Sequence, residues 1–382
     1  MRLIEADGKT LLKRRGLPVP RGRLYGPDEP VEAPPGGAAI KAQVLAGARG
    51  KRGLVQLAAQ SEADAVAAAM IERMRADSPS PHVLVEENLA AESECYLAWR
   101  IDDVRQAPVM LFSTKGGVEI EAHAGDLHQF VWDPLQVLHP HHLLGFLLDA
   151  GASHRALGAL ARFAAELYKL FVAEDAELVE INPLAVTANG QVTALDAKLV
   201  LDDNARFRHR DWDELLSARL ERAAAKPLEL RAADHGLTLV ELDGCVALFA
   251  GGAGFGMAVV DLLADAGLPA ANFADASGGA SPAAFAAMGE IILARAARPD
   301  VKAVVCFQVM GATSLKVAID GLLGALDRAP LQKPLVVGFA VSATSEREMT
   351  AAQARDLFRA RGHHVISDID ELIPTLRRII QG

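Results

Sequence analysis

From about residue 245 to the C-terminus, short apolar runs alternate with longer helical stretches, and no other feature of the sequence restricts the fold as much. Cys245–Ala250, Ala271–Phe273, Ala303–Phe307, Leu335–Phe339 and His364–Ile366 read as strands. Helical periodicity fills the intervals, at about 254–266, 281–297, 314–328, 346–361 and 369–380. A helix between two strands returns the chain to the same edge, so the strands run parallel, and a parallel sheet is covered on both faces. This half is expected to be a doubly wound parallel sheet.

The first half has another texture. Residues 5–17 read as an amphipathic helix, with Leu11 and Leu12 on one face and Lys9, Lys13, Arg14 and Arg15 on a solvated basic face. Gly16, Pro18 and Pro20 end it. Strands are expected at Ala38–Leu45, Val55–Ala59, Val83–Val85, Cys95–Ile101, Val109–Ser113, Leu178–Ile181 and Val192–Leu195. Helices are expected at 61–76 and, broken near Gly151 and Ser153, at 143–171. A charged helix at 211–226 leads into a linker at 226–236. The 382 residues suffice for two or three domains, and the change of texture puts two of them at 1–235 and 236–382.

Composition removes several classes of function. A net charge of −10 argues against general nucleic-acid binding, which needs Lys and Arg in excess. The most apolar stretch, Cys245–Leu263, contains four glycines and Asp261, so it reads as strand, turn and helix and not as a membrane span. The N-terminus lacks the pattern of a signal peptide, and the expected location is the cytoplasm. Cys95, Cys245 and Cys306 have neither metal-ligand spacing nor an even count, and are expected to be buried reduced thiols. The histidines, among them His139, His141, His142, His363 and His364, read as surface or loop residues.

Three segments of the first half carry candidate chemistry. Lys41 sits in a strand before a small-residue loop in which Gly47, Gly50 and Gly53 allow close approach of an anion and Arg49, Lys51 and Arg52 supply charge. That composition suits a polyphosphate cradle, without the Walker A pattern; the alternative is a basic hairpin turn. Glu86, Glu87 and Glu94 stand at strand ends, where carboxylates can accept from ribose hydroxyls. Asn182, before Pro183, and Asp196, in a strand-like run, offer a carbonyl and a carboxylate oxygen, hard ligands suited to Mg²⁺. The alternative for Asp196 is an ion pair with Lys198.

In the second half, Phe249–Met257 is a glycine-rich strand-to-helix turn of the kind that binds anions. Asp275 follows at dinucleotide-site distance, but the third glycine of that fingerprint is out of place. Asn272–Ala280 forms a second Ser/Gly turn, and Cys306–Ser314 ends in a Thr/Ser helix start.

Taken in order, these segments resemble the β subunits of the ADP-forming succinate–CoA ligases, the succinyl-CoA synthetases. The likeness rests on Lys41 with Ala46–Lys51, Val85-Glu86, Glu94–Leu97, Ser113–Glu121, Glu180–Leu184, Leu195–Leu199, Asp202–Arg208 and Asn272–Ala280, in matching order over nearly the whole chain. The resemblance implies an ATP-grasp domain of α+β type with two subdomains, followed by a flavodoxin-like domain. It implies that Lys41, Ala48, Arg49, Gly50, Lys51, Glu86, Leu89 and Glu94 line a pocket for ATP or GTP, and that Asn182 and Asp196 ligate Mg²⁺. Glu180 corresponds to a carboxylate that meets a phosphohistidine of a partner α subunit, which also carries the CoA site. Contacts to a small carboxylic acid fall at Gly251 and at Met310, Gly311 and Ala312. The family's asparagine is Gly251 here, and only one glycine of its double-glycine segment remains. The acid pocket is therefore expected to be reshaped away from succinate, with Met310 and Phe255 favouring a larger or less polar acid.

The expected activity is a Mg²⁺-dependent acid–thiol ligase. ATP phosphorylates the partner's histidine, the phosphoryl group passes to the carboxylate, and CoA attacks the acyl phosphate. The alternatives are a stand-alone ATP-grasp ligase joining a carboxylate to an amine, and a non-catalytic nucleotide-binding subunit.

Overall fold

The structure is a computed structural model that describes residues 1–45, 52–76, 78, 80–117, 125–276, 281–311 and 313–381. It divides into two compact units, Met1–Ala224 and Ala225–Gly382.

The first unit contains α1 (Glu5–Arg14), β1 (Gly22–Tyr25), β2 (Ala38–Ala42), β3 (Val55–Ala58), α2 (Ala63–Met74), β4 (Val83–Glu87), β5 (Ser93–Asp102), β6 (Ala107–Ser113), β7 (His128–Val131), α3 (Leu144–Asp149), α4 (Leu157–Ala173), β8 (Ala176–Val186), β9 (Val192–Ala194), β10 (Lys198–Leu201) and α5 (Leu216–Ala224). Among the described residues the strands form two antiparallel sheets. One has the order β1-β4-β2-β3, the other β10-β8-β5-β6-β7 with β9 also paired to β8. Ile40, Val83 and Val85 of the smaller sheet pack with Ala67, Met70 and Met74 of α2. In α4, Leu160, Ala164, Leu167 and Phe171 recur at helical spacing and are buried. The Trp99 indole of β5 donates to the Ala164 carbonyl of α4 at 3.0 Å, so this helix is tied to the larger sheet as well as packed on it.

The strand expected to end at Ile181 continues through Asn182-Pro183, which form the middle of the long strand β8 and are joined by a cis peptide bond. The β5–β8 register changes there, from Cys95 opposite Leu184 to Leu97 opposite Ile181, so Asn182 and Pro183 together face Tyr96. A bulge of this kind re-aims a side chain without ending the strand.

The second unit contains α6 (Pro227–Ala233), β11 (Thr238–Glu241), β12 (Val246–Ala250), α7 (Ala253–Asp265), β13 (Asn272–Asp275), α8 (Pro282–Ala296), β14 (Ala303–Met310), α9 (Leu315–Arg328), β15 (Leu335–Val341), α10 (Ala351–Ala360), β16 (His364–Val365) and α11 (Leu372–Gln381). β12, β14, β15 and β16 form a parallel sheet in that order. β13 lies along the free edge of β12: Ala271 N–H donates to the Val246 carbonyl at 2.7 Å. Farther along, the buried Asn272 side chain takes over, its Nδ2 donating to Leu248 O at 2.7 Å and its Oδ1 accepting from Leu248 N–H at 3.2 Å. An amide side chain here reproduces the two hydrogen bonds of a strand partner. The spatial order β13-β12-β14-β15-β16 is the flavodoxin-like 2-1-3-4-5 arrangement, and the chain reverses its direction of winding between β12 and β14. Separate apolar cores fill the two faces. β11 adds an antiparallel edge on β13.

The segment expected as a linker at 226–236 is α6. Pro227 stands in its first turn and Glu229 Oε2 accepts from Lys226 N–H at 3.3 Å, the features of a helix start. β1, β7 and β11 had no expected counterpart. Among the described residues no helix is long and apolar enough to cross a membrane. All three cysteines are free. Burial raises the Cys95 thiol to about 11 and the Cys306 thiol to about 12, which keeps both protonated at neutral pH.

Candidate functional site

Two glutamates and two lysines meet inside the first unit. Lys41 Nζ, from β2, lies 2.8 Å from Glu5 Oε1 and 2.9 Å from Glu86 Oε2, and donates to the Leu195 carbonyl. Lys9 Nζ, from α1, meets the same three groups at 2.6 Å, 2.6 Å and 2.8 Å. All four charged residues are buried. Lys9 therefore does not belong to the solvated face expected for α1; Lys13, Arg14 and Arg15 do. Its position follows from Glu5, which places a carboxylate one helical turn away on the inner side.

Burial opposes charge on both lysines. It prevails at Lys9, which is held below the ordinary lysine range despite Glu5 and Glu86. At Lys41 the carboxylates of Glu5, Glu86 and Asp196 outweigh burial and hold the ammonium above that range. The difference is consistent with Asp196, which adds its field to Lys41. Gln43 fixes the end of β2: its Nε2 donates to Lys41 O at 3.0 Å and its Oε1 accepts from Ala6 N–H at 2.9 Å.

The Leu195 carbonyl joins this cluster to the candidate metal ligands. Leu195 N–H donates to Pro183 O at 3.0 Å. The pairings Leu184–Ala194 and Glu180–Lys198 share one register, which sets Asp196 opposite Asn182. Asn182 Oδ1 accepts from Gly117 N–H at 2.6 Å and its Nδ2 donates to Gly117 O at 3.2 Å, so the amide is held in one orientation. Gly117 has φ of +97°, which suits glycine, and a Cβ there would stand 3.5 Å from Glu94 Oε2. Gly116 N–H donates to the Glu94 carbonyl at 2.8 Å. Lys41, Glu86, Asp196, Asn182 and Glu94 are thus linked through a short chain of hydrogen bonds and packing. Asn182 of β8 and Asp196 of the β9–β10 connection lie opposite each other in register, and their amide oxygen and carboxylate, which also accept from Gly117 N–H and Ala197 N–H, are hard donors of the kind that Mg²⁺ takes.

Lys198 pairs with Glu180 at 3.2 Å, which differs from the alternative partner considered for Asp196. The Glu180 charge also reaches Tyr96, whose hydroxyl is raised above its ordinary range by burial first and by Glu180 second. Leu89 is half-buried in the loop after β4. Ala48, Arg49, Gly50 and Lys51 lie outside the described residues, as do Ala312 and the Val118–Glu121 part of the Ser113–Glu121 motif.

In the second unit the strand ends at the switch point carry Gly251, Met310 and Gly311. Gly251 N–H donates to Phe307 O at 3.0 Å, and Gly252 N–H to Asp275 Oδ1 at 3.2 Å. That bond occupies one oxygen of the acid that a dinucleotide site would turn toward ribose. The Met310 side chain is packed in the core, and its carbonyl accepts from Ser342 N–H and Ser345 Oγ. The Met310 side chain therefore does not wall the strand ends; Phe255, half-buried against Phe307 with ring centroids 5.2 Å apart, is better placed to do so. Ser314 holds the N-cap position of α9, but its hydroxyl makes no capping bond.

Reasoning from the sequence missed Glu5, Lys9 and Gln43. The available signal was the Glu5–Lys9 spacing in line with Leu12, a charged pair on a stripe that the helix buries.

Residues 2–186 match a family model described as the ATP-grasp domain. Subunit β 2 of the ADP-forming succinate–CoA ligase of Streptomyces coelicolor is 35% identical, over 99% of this chain and 96% of that protein. The β subunit of the GDP-forming succinate–CoA ligase of Thermus thermophilus is 36% identical, over 91% and 92%. Among solved structures, ATP citrate lyase of Methanothrix soehngenii in complex with citrate and coenzyme A superposes with a TM-score of 0.77 at 19% identity, covering 100% of this chain and 99% of that one. At that identity the superposition establishes the fold.

Proposed function

The chain belongs to the family of succinate–CoA ligase β subunits, and from that premise we propose that it binds a nucleoside triphosphate in its first unit and directs the γ-phosphoryl group to a histidine of a partner α subunit. The reaction class is that of an ADP-forming acid–thiol ligase with ATP or GTP and Mg²⁺. The observation that supports this reading best is the Leu195–Asp196 segment. Its carbonyl is bonded to Lys41 and its amide to Pro183, so one short segment ties the cationic strand to the Asn182–Asp196 oxygen pair.

Lys41, kept charged by its carboxylate neighbours, meets phosphate oxygens. Asn182 and Asp196 hold Mg²⁺, which when bound neutralises charge on the transferring phosphates. Glu94 stands beside the glycine turn, and Arg49 and Lys51 add cations from the preceding loop. Glu180, held by Lys198, receives the partner's histidine. Most of the catalysis is positioning and charge stabilisation. The acid substrate binds at the strand ends around Gly251 and Gly311, and CoA binds mainly on the α subunit. The family relationship over nearly the whole chain favours this reading over a stand-alone amine ligase.

With the two subunits mixed, Asp196→Asn is expected to slow phosphorylation of the partner histidine by about 10²-fold or more, as loss of a metal-binding carboxylate does. Single-turnover transfer from γ-labelled ATP measures it; an unchanged rate rules out the metal assignment.

A further inference from the structure

Lys9 of α1 is a buried cation that the reaction outlined above does not use. Its ammonium repeats the contacts of Lys41: both nitrogens meet Glu5 Oε1, Glu86 Oε2 and the Leu195 carbonyl oxygen. The two lysines differ in access. The Lys41 side chain is 10% exposed and that of Lys9 3%, so Lys41 is the one open to a ligand. An ammonium has three N–H donors, and Lys41 directs its donors at these three oxygens. To donate to a phosphate it has to let go of at least one of them. Stripping a buried carboxylate of its cation is costly. Lys9 stands one helical turn after Glu5 and bonds both oxygens of Glu86, at 2.8 Å and 2.6 Å, so all three acceptors stay bonded while Lys41 turns away. Lys9 is held below the ordinary lysine range by burial first and then by the charge of Lys41, and departure of that charge toward a phosphate strengthens the hold of Lys9 on its proton.

We propose that Lys9 is a positioning residue for the nucleotide's phosphates: it takes over Glu5, Glu86 and the Leu195 carbonyl, so that Lys41 can give its charge to the polyphosphate chain. The inference rests on the nucleotide-binding reading of the first unit and assigns a residue which that reading leaves out. Two ammoniums and two carboxylates make the cluster formally neutral. Without Lys9 the cluster is negative, and Lys41 is engaged by both carboxylates at the moment a phosphate needs it. The loss then falls on the phosphates and not on the base or the ribose. Lys9 also bonds the carbonyl of Leu195, next to Asp196, so this segment keeps its place when Lys41 moves.

The test uses the complete enzyme, this chain together with its α subunit, and measures equilibrium binding of two probes by calorimetry. One is a non-hydrolysable nucleoside triphosphate with Mg²⁺ and the other the corresponding nucleoside, in the adenine and the guanine series. Lys9→Met is expected to weaken binding of the triphosphate at least about 10-fold and of the nucleoside less than about 2-fold. Adding Glu5→Gln removes a carboxylate along with the cation, restores neutrality and is expected to recover most of the triphosphate affinity. Equal loss on both probes, or loss on neither, overturns the inference, because a residue that only supports the fold does not single out phosphate. A double variant that binds the triphosphate no better than Lys9→Met also overturns it. If Lys9→Met fails to fold, Glu5→Gln alone takes its place with the opposite sign: one carboxylate fewer releases Lys41, and the triphosphate binds more tightly relative to the nucleoside. Unchanged or weaker relative binding in that variant overturns the inference. A wild-type enzyme that binds neither triphosphate overturns the nucleotide-binding reading and this inference with it; triphosphate binding that survives Lys9→Met intact overturns this inference alone.

Discussion

Lys9 is buried, and among the described residues the carboxylates paired with it, Glu5 and Glu86, are paired with Lys41 as well. Removing it would take one ammonium partner from Glu5 and from Glu86, both buried. Loss of one partner from a buried ion cluster typically costs about 3–5 kcal/mol, and Lys9→Met is expected to destabilise the protein by that order, read as a lower urea midpoint. Adding Glu5→Gln removes one carboxylate with the lysine and restores part of the loss, so the double-mutant cycle is non-additive. Additive effects would show that the two side chains do not interact. This cluster was hard to read from the sequence because periodicity assigns charge to the outer face of a helix. Lys41 was legible because it lies within an apolar strand, and a charge in such a place calls for a partner.

At the level of elements, the strands and helices that the alternation marks out are present, and what escaped it is short or exposed. β1, β7 and β11 are four residues each and carry mostly polar or exposed positions, so their pairing and not their pattern makes them strands. α10 begins at Ala351, later than the periodicity suggested. Thr350 accepts from Gln353 N–H while Gln353 Oε1 accepts from Thr350 N–H, and this reciprocal cap sets the start. Asn182 and Asp196 were legible as oxygen donors, but their juxtaposition depends on the β8–β9–β10 register and on a bulge, neither of which a local pattern encodes. Midway along the β12–β13 edge, beyond the Ala271–Val246 bond, one side chain makes the link. Asn272→Leu leaves the Leu248 N–H and carbonyl without the partners that Asn272 supplies, and at about 1–3 kcal/mol for each unpaired buried group the expected destabilisation is about 2–6 kcal/mol. Chemical denaturation of the variant measures this; an unchanged midpoint would show that the amide is dispensable.

At the scale of the whole molecule, each unit has its own apolar cores, and the nucleotide-binding residues assigned above all belong to the first. Mg²⁺ with a non-hydrolysable ATP analogue is therefore expected to slow amide hydrogen exchange in peptides spanning β2, β8 and the β9–β10 segment, and to leave β12 and β14 unchanged. Protection confined to the second unit would place the nucleotide elsewhere. The close approach of position 251 to the side-chain amide of Gln308 also couples two neighbouring strand ends. A methyl group gained at 251 while glutamine is still present collides with it, whereas a shorter residue at 308 clears the space first. The two positions are thus coupled: a residue larger than glycine at 251 has to push the end of the glutamine side chain aside.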